Sequence, residues 1–213
     1  MDMGLRWYGP GYDSVSLEQI RQIPGIKGVI TTLYGKQPGE PWKRSEIRTL
    51  KETVEQAGLL VLGIESVNVS DAIKTGGSKR DEHLQNYIQT LENLAEEGIF
   101  LVCYNFMPVF DWTRSELARV RPDGSTVLAY HQAVIDRIDP KRMRESIEEM
   151  SDGFVMPGWE PERLDRLEEL FSLYRKIDGE TLFKNLVYFL KAKIGRAHVR
   201  TPVTYADLVC RLL

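Results

Sequence analysis

The sequence predicts an α/β fold built on parallel strands, and three observations predict it. Short apolar segments alternate with helix-period segments through four strand-helix cycles. No tight hairpin joins consecutive strands of that series, so each must return by a right-handed helical crossover. Gly28 to Leu33 is β-branched and almost continuously apolar, as in a strand buried on both faces. Composition leaves a doubly wound sheet and a (β/α)8 barrel both open. The lack of GxGxxG after the first strand weakens the dinucleotide-binding sheet and favours the barrel.

Gly4 to Tyr8 reads as the first strand, punctuated by Gly9-Pro10-Gly11. Ser14 or Ser16 caps a helix with Leu17, Ile20 and Ile23 on one face, stopped by Pro24-Gly25. Gly28 to Leu33 is the second strand. Ser45 caps a helix carrying Ile47, Leu50, Val54 and Ala57, Gly58 ends it, and Leu59 to Val67 is the third strand. After a Gly-Gly loop, His83 to Glu97 forms a helix with Leu84, Tyr87, Ile88, Leu91 and Leu94 on one face, and Ile99 to Asn105 is the fourth strand. From Met107 the rhythm breaks. Arg121 to Ser125 is a turn between Leu117–Val120 and Thr126–Tyr130, an inserted β-hairpin. Leu164 to Ile177 and Thr181 to Lys193 then carry one apolar stripe each.

The balance of 28 Lys and Arg against 31 Asp and Glu gives a net charge of -3, the wrong sign for a phosphate-tracking surface, so no nucleic-acid partner is expected. No apolar run of roughly 18 residues exists and the N-terminus lacks a secretory layout, so neither a membrane nor export is expected and the default location is cytoplasmic. Two Cys and three His, without CxxC or HExxH, exclude a disulfide scaffold and a self-evident zinc site. Thr75 to Lys79 has no P-loop register and reads as a flexible loop; His83 and His131 lack partners at metal-ligand spacing; Cys103 reads as a small buried residue. The run Lys141 to Glu149 reads as a solvated helix face.

In a parallel α/β fold, chemistry collects at the carboxyl ends of the strands, where loops vary without disturbing the core. Those ends offer Arg6, Trp7, Tyr8, Tyr34, Glu65, Ser66, Tyr104 and Asn105, followed by Asp111, Trp112 and Arg114. Aromatic faces cover sugar C–H surfaces, while Asn, Glu and Arg provide hydroxyl partners and a carboxylate clamp. Rim packing is the competing reading for Trp7, Tyr8 and Trp112, an ion pair for Glu65, and a solvated surface charge for Arg114.

The strings Arg6-Trp7-Tyr8-Gly9-Pro10, Val15 to Gln22, Ile64-Glu65-Ser66-Val67 and Cys103 to Arg114 resemble the mannonate dehydratases of hexuronate catabolism. Pro122 to Ser125 and Asn185 to Ala192 fit the same family in the same order. The resemblance implies a TIM barrel of the xylose-isomerase-like kind, and a hydro-lyase that takes D-mannonate to 2-dehydro-3-deoxy-D-gluconate in glucuronate catabolism with Mn2+ or Fe2+. The proton removed lies beside a carboxylate, a poor electron sink, and hydroxide leaves poorly; a divalent ion eases both. The resemblance also implies that Arg6, Trp7, Tyr8, Glu65, Asn105 and Arg114 line the substrate pocket. It assigns no general acid or base. Members commonly carry His where Ser70 stands, and acidic or amide residues at Tyr130-His131.

The resemblance covers Met1 to about Lys193, an N-terminal part of the catalytic domain with an insertion at about 107–160. Residues 194–213 resemble a translated sequencing adapter, so they read as an artefactual tail in which His198 and Cys210 inherit no role. The family's metal ligands belong to the half of the barrel that would follow, so none is expected in this chain, which alone is expected to be inactive. Half a barrel leaves two strand edges and an apolar interior uncovered. Full length, a homo-oligomer is compatible. An isomerase or epimerase on the same barrel and a non-catalytic sugar-acid-binding fragment remain the alternatives.

Overall fold

The computed structural model describes residues 2–109, 115–135, 137 and 165–194. Strands β1 (Met3–Arg6), β2 (Ile26–Thr31) and β3 (Leu60–Ile64) form a parallel sheet in the order β1-β2-β3. Arg6 is in register with Ile30, and Ile30 with Gly63. Each strand ends two or three residues before its expected run does, because the run's last residues leave the ladder to form the loops above it.

The fourth strand expected at Ile99–Asn105 is reduced to a parallel bridge between Ile64 and Val102. The Ile64 N–H donates to the Leu101 carbonyl, and the Cys103 N–H to the Ile64 carbonyl, both at 2.8 Å. Only the end of β3 meets this segment, and among the described residues no strand pairs with its other side. A continuous ladder therefore does not form. Cys103 is half-buried rather than sealed in the core.

Helices cover one face of the sheet. Of the two candidate caps, Ser16 starts α1 (Leu17–Arg21): its Oγ accepts from the Gln19 N–H and the Gln19 side chain accepts from the Ser16 N–H, closing a capping box. Helix α2 (Arg44–Gln56) starts before the expected Ser45, because the Glu46 carboxylate accepts from the Lys43 N–H at 3.0 Å. Ahead of the expected Thr75–Lys79 loop stands a short helix that was not expected, α3 (Asp71–Thr75), capped by Ser70 and closed by Gly76 at φ 72. Helix α4 (Arg80–Glu96) follows directly.

The hairpin forms as β4 (Glu116–Val120) and β5 (Thr126–Ala129), antiparallel. Its turn is held by the Asp123 carboxylate, which accepts from the Ser125 N–H and hydroxyl. After α5 (Gln132–Ile135), the helices α6 (Leu167–Tyr174) and α7 (Gly179–Ile194) complete the described chain. The Lys141–Glu149 run, most of the expected insertion and the tail from 195 onward lie outside the described residues.

Among the described residues, two apolar cores lie between sheet and helices. The larger gathers Trp42, Ile47, Ile64, Leu84, Tyr87, Leu94, Phe106 and Phe189 with their neighbours; the smaller holds Trp7, Leu17, Ile20, Val29, Val54 and Leu59. Among the described residues no helix is long and apolar enough to cross a membrane.

Candidate functional site

An open cleft of about 2240 Å3, counting the solvent in its mouth, lies beyond the carboxyl ends of β2 and β3. Thr32, Leu33, Tyr34 and Lys36 enter it from the loop after β2, Ser66, Asn68 and Ser70 from the loop after β3, and His83 and Arg166 from the helices. This is where a parallel α/β fold places its chemistry.

Of the residues chosen from sequence, Arg6 and Tyr8 come together. The Arg6 guanidinium lies 4.6 Å from the centre of the Tyr8 ring and donates to the carbonyls of Trp7 at 2.8 Å and Ile30 at 3.2 Å. Its other nitrogen reaches the Tyr34 hydroxyl at 3.4 Å, which ties β1 to the cleft wall. Tyr34 stacks on Tyr12 at 4.1 Å, and burial pushes its phenol up to about 12 against the pull of Arg6. The phenol is therefore protonated near neutrality and available as a donor.

Trp7, expected to line the pocket, is only 4% exposed and packs in the core beneath α1. The side chain after Arg6 on the strand turns to the helix face, so its place here is that of a packing anchor. Glu65 follows the end of β3, half-buried, with its N–H donated to the Thr31 carbonyl at 2.9 Å. Asn105 is half-buried and follows a segment packed by Tyr104 against Phe189. Asp111, Trp112 and Arg114 lie outside the described residues.

Sequence reasoning passed over the pairing of Ser70 with His83. The Ser70 hydroxyl, almost fully buried, caps α3 and stands 2.8 Å from His83 Nδ1. The only sequence signal was a Ser at a helix start; the partner lies one helix later. Lys36, also missed, is neutralised by Glu46 at 2.7 Å. Below them a row of α4 side chains fixes the β2–α2 loop: Asn86 donates to the Gly39 carbonyl, Thr90 accepts from the Trp42 N–H, and Asn93 donates to the Trp42 carbonyl. That row holds the wall carrying Lys36 without using the cleft's own polar groups. Among the described residues no three His, Cys, Asp or Glu side chains converge as a metal-binding group.

Parallel strands, helical crossovers and a polar cleft at the strand ends define this as an α/β protein with an enzyme-type site. The chain belongs to the D-mannonate dehydratase (UxuA) family, whose model matches residues 1–201 and so runs past Lys193. It is 63% identical over 192 residues to a mannonate dehydratase of Brachyspira hyodysenteriae, covering 90% of this chain and 54% of that relative. Identity is 50% over 194 residues to the Thermotoga neapolitana mannonate dehydratase, with coverages of 91% and 54%. A crystal structure of mannonate dehydratase from Streptococcus suis serotype 2 superposes with a TM-score of 0.76 at 39% identity, covering 92% of this chain and 50% of that one. The chain thus spans about half the length of the relatives it matches.

Proposed function

We propose that this chain is the N-terminal half of a (β/α)8-barrel hydro-lyase that dehydrates D-mannonate to 2-dehydro-3-deoxy-D-gluconate in glucuronate catabolism. The observation that carries the reading is the family match over residues 1–201. Residues 1–193 are read as the barrel's first four strand-helix units, with the hairpin inserted at about 107–160, and residues 194–213 as a tail, although the family match extends over 194–201. A small sugar acid is the partner, without nucleic acid, in a cytoplasmic setting.

In the reaction the proton beside the carboxylate leaves, the neighbouring hydroxyl departs with a proton as water, and the enol becomes the 2-keto acid. This chain's share is to bind and orient. Arg6, held by two backbone carbonyls, offers fixed charge to a carboxylate, and Tyr34 offers a phenolic proton to a hydroxyl. Tyr8 covers the sugar chain and Glu65 and Asn105 take hydroxyls; Arg114, outside the described residues, is the further candidate for the carboxylate, and Trp7 contributes by anchoring β1 from beneath. The described residues do not make a site for the Mn2+ or Fe2+ of this reading, and we place that ion on the half of the barrel that follows.

The test is complementation. This chain, mixed with a separately produced C-terminal half of the Brachyspira relative and Mn2+, is expected to convert D-mannonate to a 2-keto-3-deoxy acid, and neither half alone to do so. An aldose-ketose mixture would replace dehydration by isomerisation. Turnover by this chain alone would overturn the half-barrel division of labour.

A further inference from the structure

His83, at the start of α4, enters the cleft with its ring held from two sides. It lies against Gly39, whose φ is +103 and where an added Cβ would come within 2.5 Å of Nδ1 and 2.7 Å of Cε1. Only a glycine lets the ring so close to the backbone. The Gly39 carbonyl is fixed in turn by Asn86, one turn further along α4, at 2.9 Å. From the other side the Ser70 hydroxyl meets Nδ1 at 2.8 Å. A Ser–His contact can serve either residue. As a nucleophile Ser70 would need an open Oγ, but it is 3% exposed and its Oγ already accepts from the Ile73 N–H. Were it to accept from His83 as well, its own proton would be buried without an acceptor among the described residues, which is costly. The hydroxyl therefore donates to Nδ1, and the ring proton is assigned to Nε2. The ring atoms nearest Ser70 and Gly39 are Nδ1, Cγ and Cε1, which leaves Nε2 on the side facing the cleft. Among the described residues nothing accepts its proton.

We propose that His83 is a binding residue of the sugar-acid site, donating its Nε2 proton to a hydroxyl of the sugar chain, with Ser70 and Gly39 as its positioning residues. The proposal rests on the dehydratase reading above and adds the α4 wall to that site. Arg6 and Tyr34 meet the cleft from the side of β1 and β2, and His83 meets it from the side of α4. A sugar acid whose carboxylate lies at Arg6 therefore presents its hydroxyls toward His83. A donor already fixed in place loses little freedom on binding, so its hydrogen bond counts nearly in full. The same fixing makes the contact selective, because a ring that cannot turn offers its proton in one direction only.

Nuclear magnetic resonance of the 213-residue chain, labelled with nitrogen-15, tests this directly. The chain has three histidines, and the imidazole signals of His83 are those lost in H83N. In mildly alkaline solution the parent is expected to show His83 with its proton on Nε2, and S70A to show a mixture of the two ring forms. Added D-mannonate is expected to move the His83 Nε2 signal along a saturable curve and to leave that of His131, on the hairpin, in place. H83N keeps an oxygen near the place of Nδ1 for Ser70 to bond, but its side chain is too short to donate into the cleft. It is expected to keep the far-ultraviolet circular dichroism spectrum of the parent and to bind D-mannonate about three- to tenfold more weakly, the share of one hydrogen bond. A parent ring with its proton on Nδ1, or parental affinity in H83N, overturns the proposal. So does a parent chain that binds no D-mannonate. Turnover by the two mixed halves then separates the readings: dehydration there keeps the function without His83, and no turnover removes both.

Discussion

Phe189 and Trp7 are both large aromatic side chains under a helix layer, but their surroundings differ. Phe189 is fully buried among Tyr87, Tyr104 and Phe106, with ring centres 5.0 to 5.7 Å away. Trp7 belongs to a smaller cluster whose sheet continues outward to exposed Leu5 and Met3. The first core is closed because α7 lies across α3 and α4; the β1 flank has no such neighbour among the described residues. The same strand-helix grammar thus gives a sealed core where a following helix exists and a half-open one where it does not.

The widest separation between the two should come from truncation. Phe189→Ala is expected to destabilise by about 3–5 kcal/mol, because three rings cannot collapse into the space it leaves. Trp7→Ala should fall at or below the lower end of that range, since the neighbours of an open flank relax more easily. Urea unfolding followed by circular dichroism measures both. Equal losses, or a larger loss at Trp7, would break the distinction between closed and open cores.

What could be foreseen from the sequence divides along similar lines. Periodicity located α2, α4 and α7, because their apolar stripes answer to a core wherever it lies. The strand at Ile99–Asn105 was overestimated because an apolar run does not reveal whether a neighbour completes its ladder, and Phe100 and Leu101 are in fact exposed. Helix α3 was missed although Ser70 and Gly76 are a cap pair around Asp71–Thr75: five residues are too few to show a period. At the site, Arg6 and Tyr8, chosen for their position at a strand end, do lie against each other, and Arg6 reaches Tyr34 of the cleft wall. The Ser70–His83 pair and the Asn86–Thr90–Asn93 row were not legible, since each joins segments far apart in sequence through single hydrogen bonds. Trp7 was misplaced because alternation along a strand only four residues long leaves its facing ambiguous.

Two buried threonines sharpen the contrast at a smaller scale. Thr90, on the closed side, accepts from the Trp42 N–H at 3.0 Å and donates to the Asn86 carbonyl at 2.9 Å. Thr31, in β2, is equally buried, and its hydroxyl has no hydrogen-bond partner among the described residues. Thr90→Val leaves a buried backbone donor unmet and should destabilise by about 1–3 kcal/mol. Thr31→Val removes an unmet group and should be neutral or stabilise by up to about 1 kcal/mol. Denaturation midpoints of the two variants decide it: a destabilised Thr31→Val would show that the hydroxyl is satisfied after all.

The smallest effect concerns how the closed side is fastened to α2. Glu97, just past the end of α4, accepts from Arg48 and Arg44, while Lys51 donates to its backbone carbonyl. The Arg48 and Arg44 hydrogen bonds hold its carboxyl down to about 2 from an ordinary value near 4.5. A carboxyl depressed in the folded state binds its proton more readily when unfolded, so its contribution is complete above about pH 4.5 and fades as pH falls toward 2. Both arginine side chains are about half exposed, at 47% and 52%, so water and salt screen much of the attraction. Glu97→Gln should therefore lower the urea midpoint modestly near neutrality, and the difference from the parent should shrink on acidification and in high salt. A difference that persists unchanged into acid would mean that Glu97 holds α2 and α4 together by packing and hydrogen-bond shape rather than by charge, and the closed side would then owe nothing to its ion pairs.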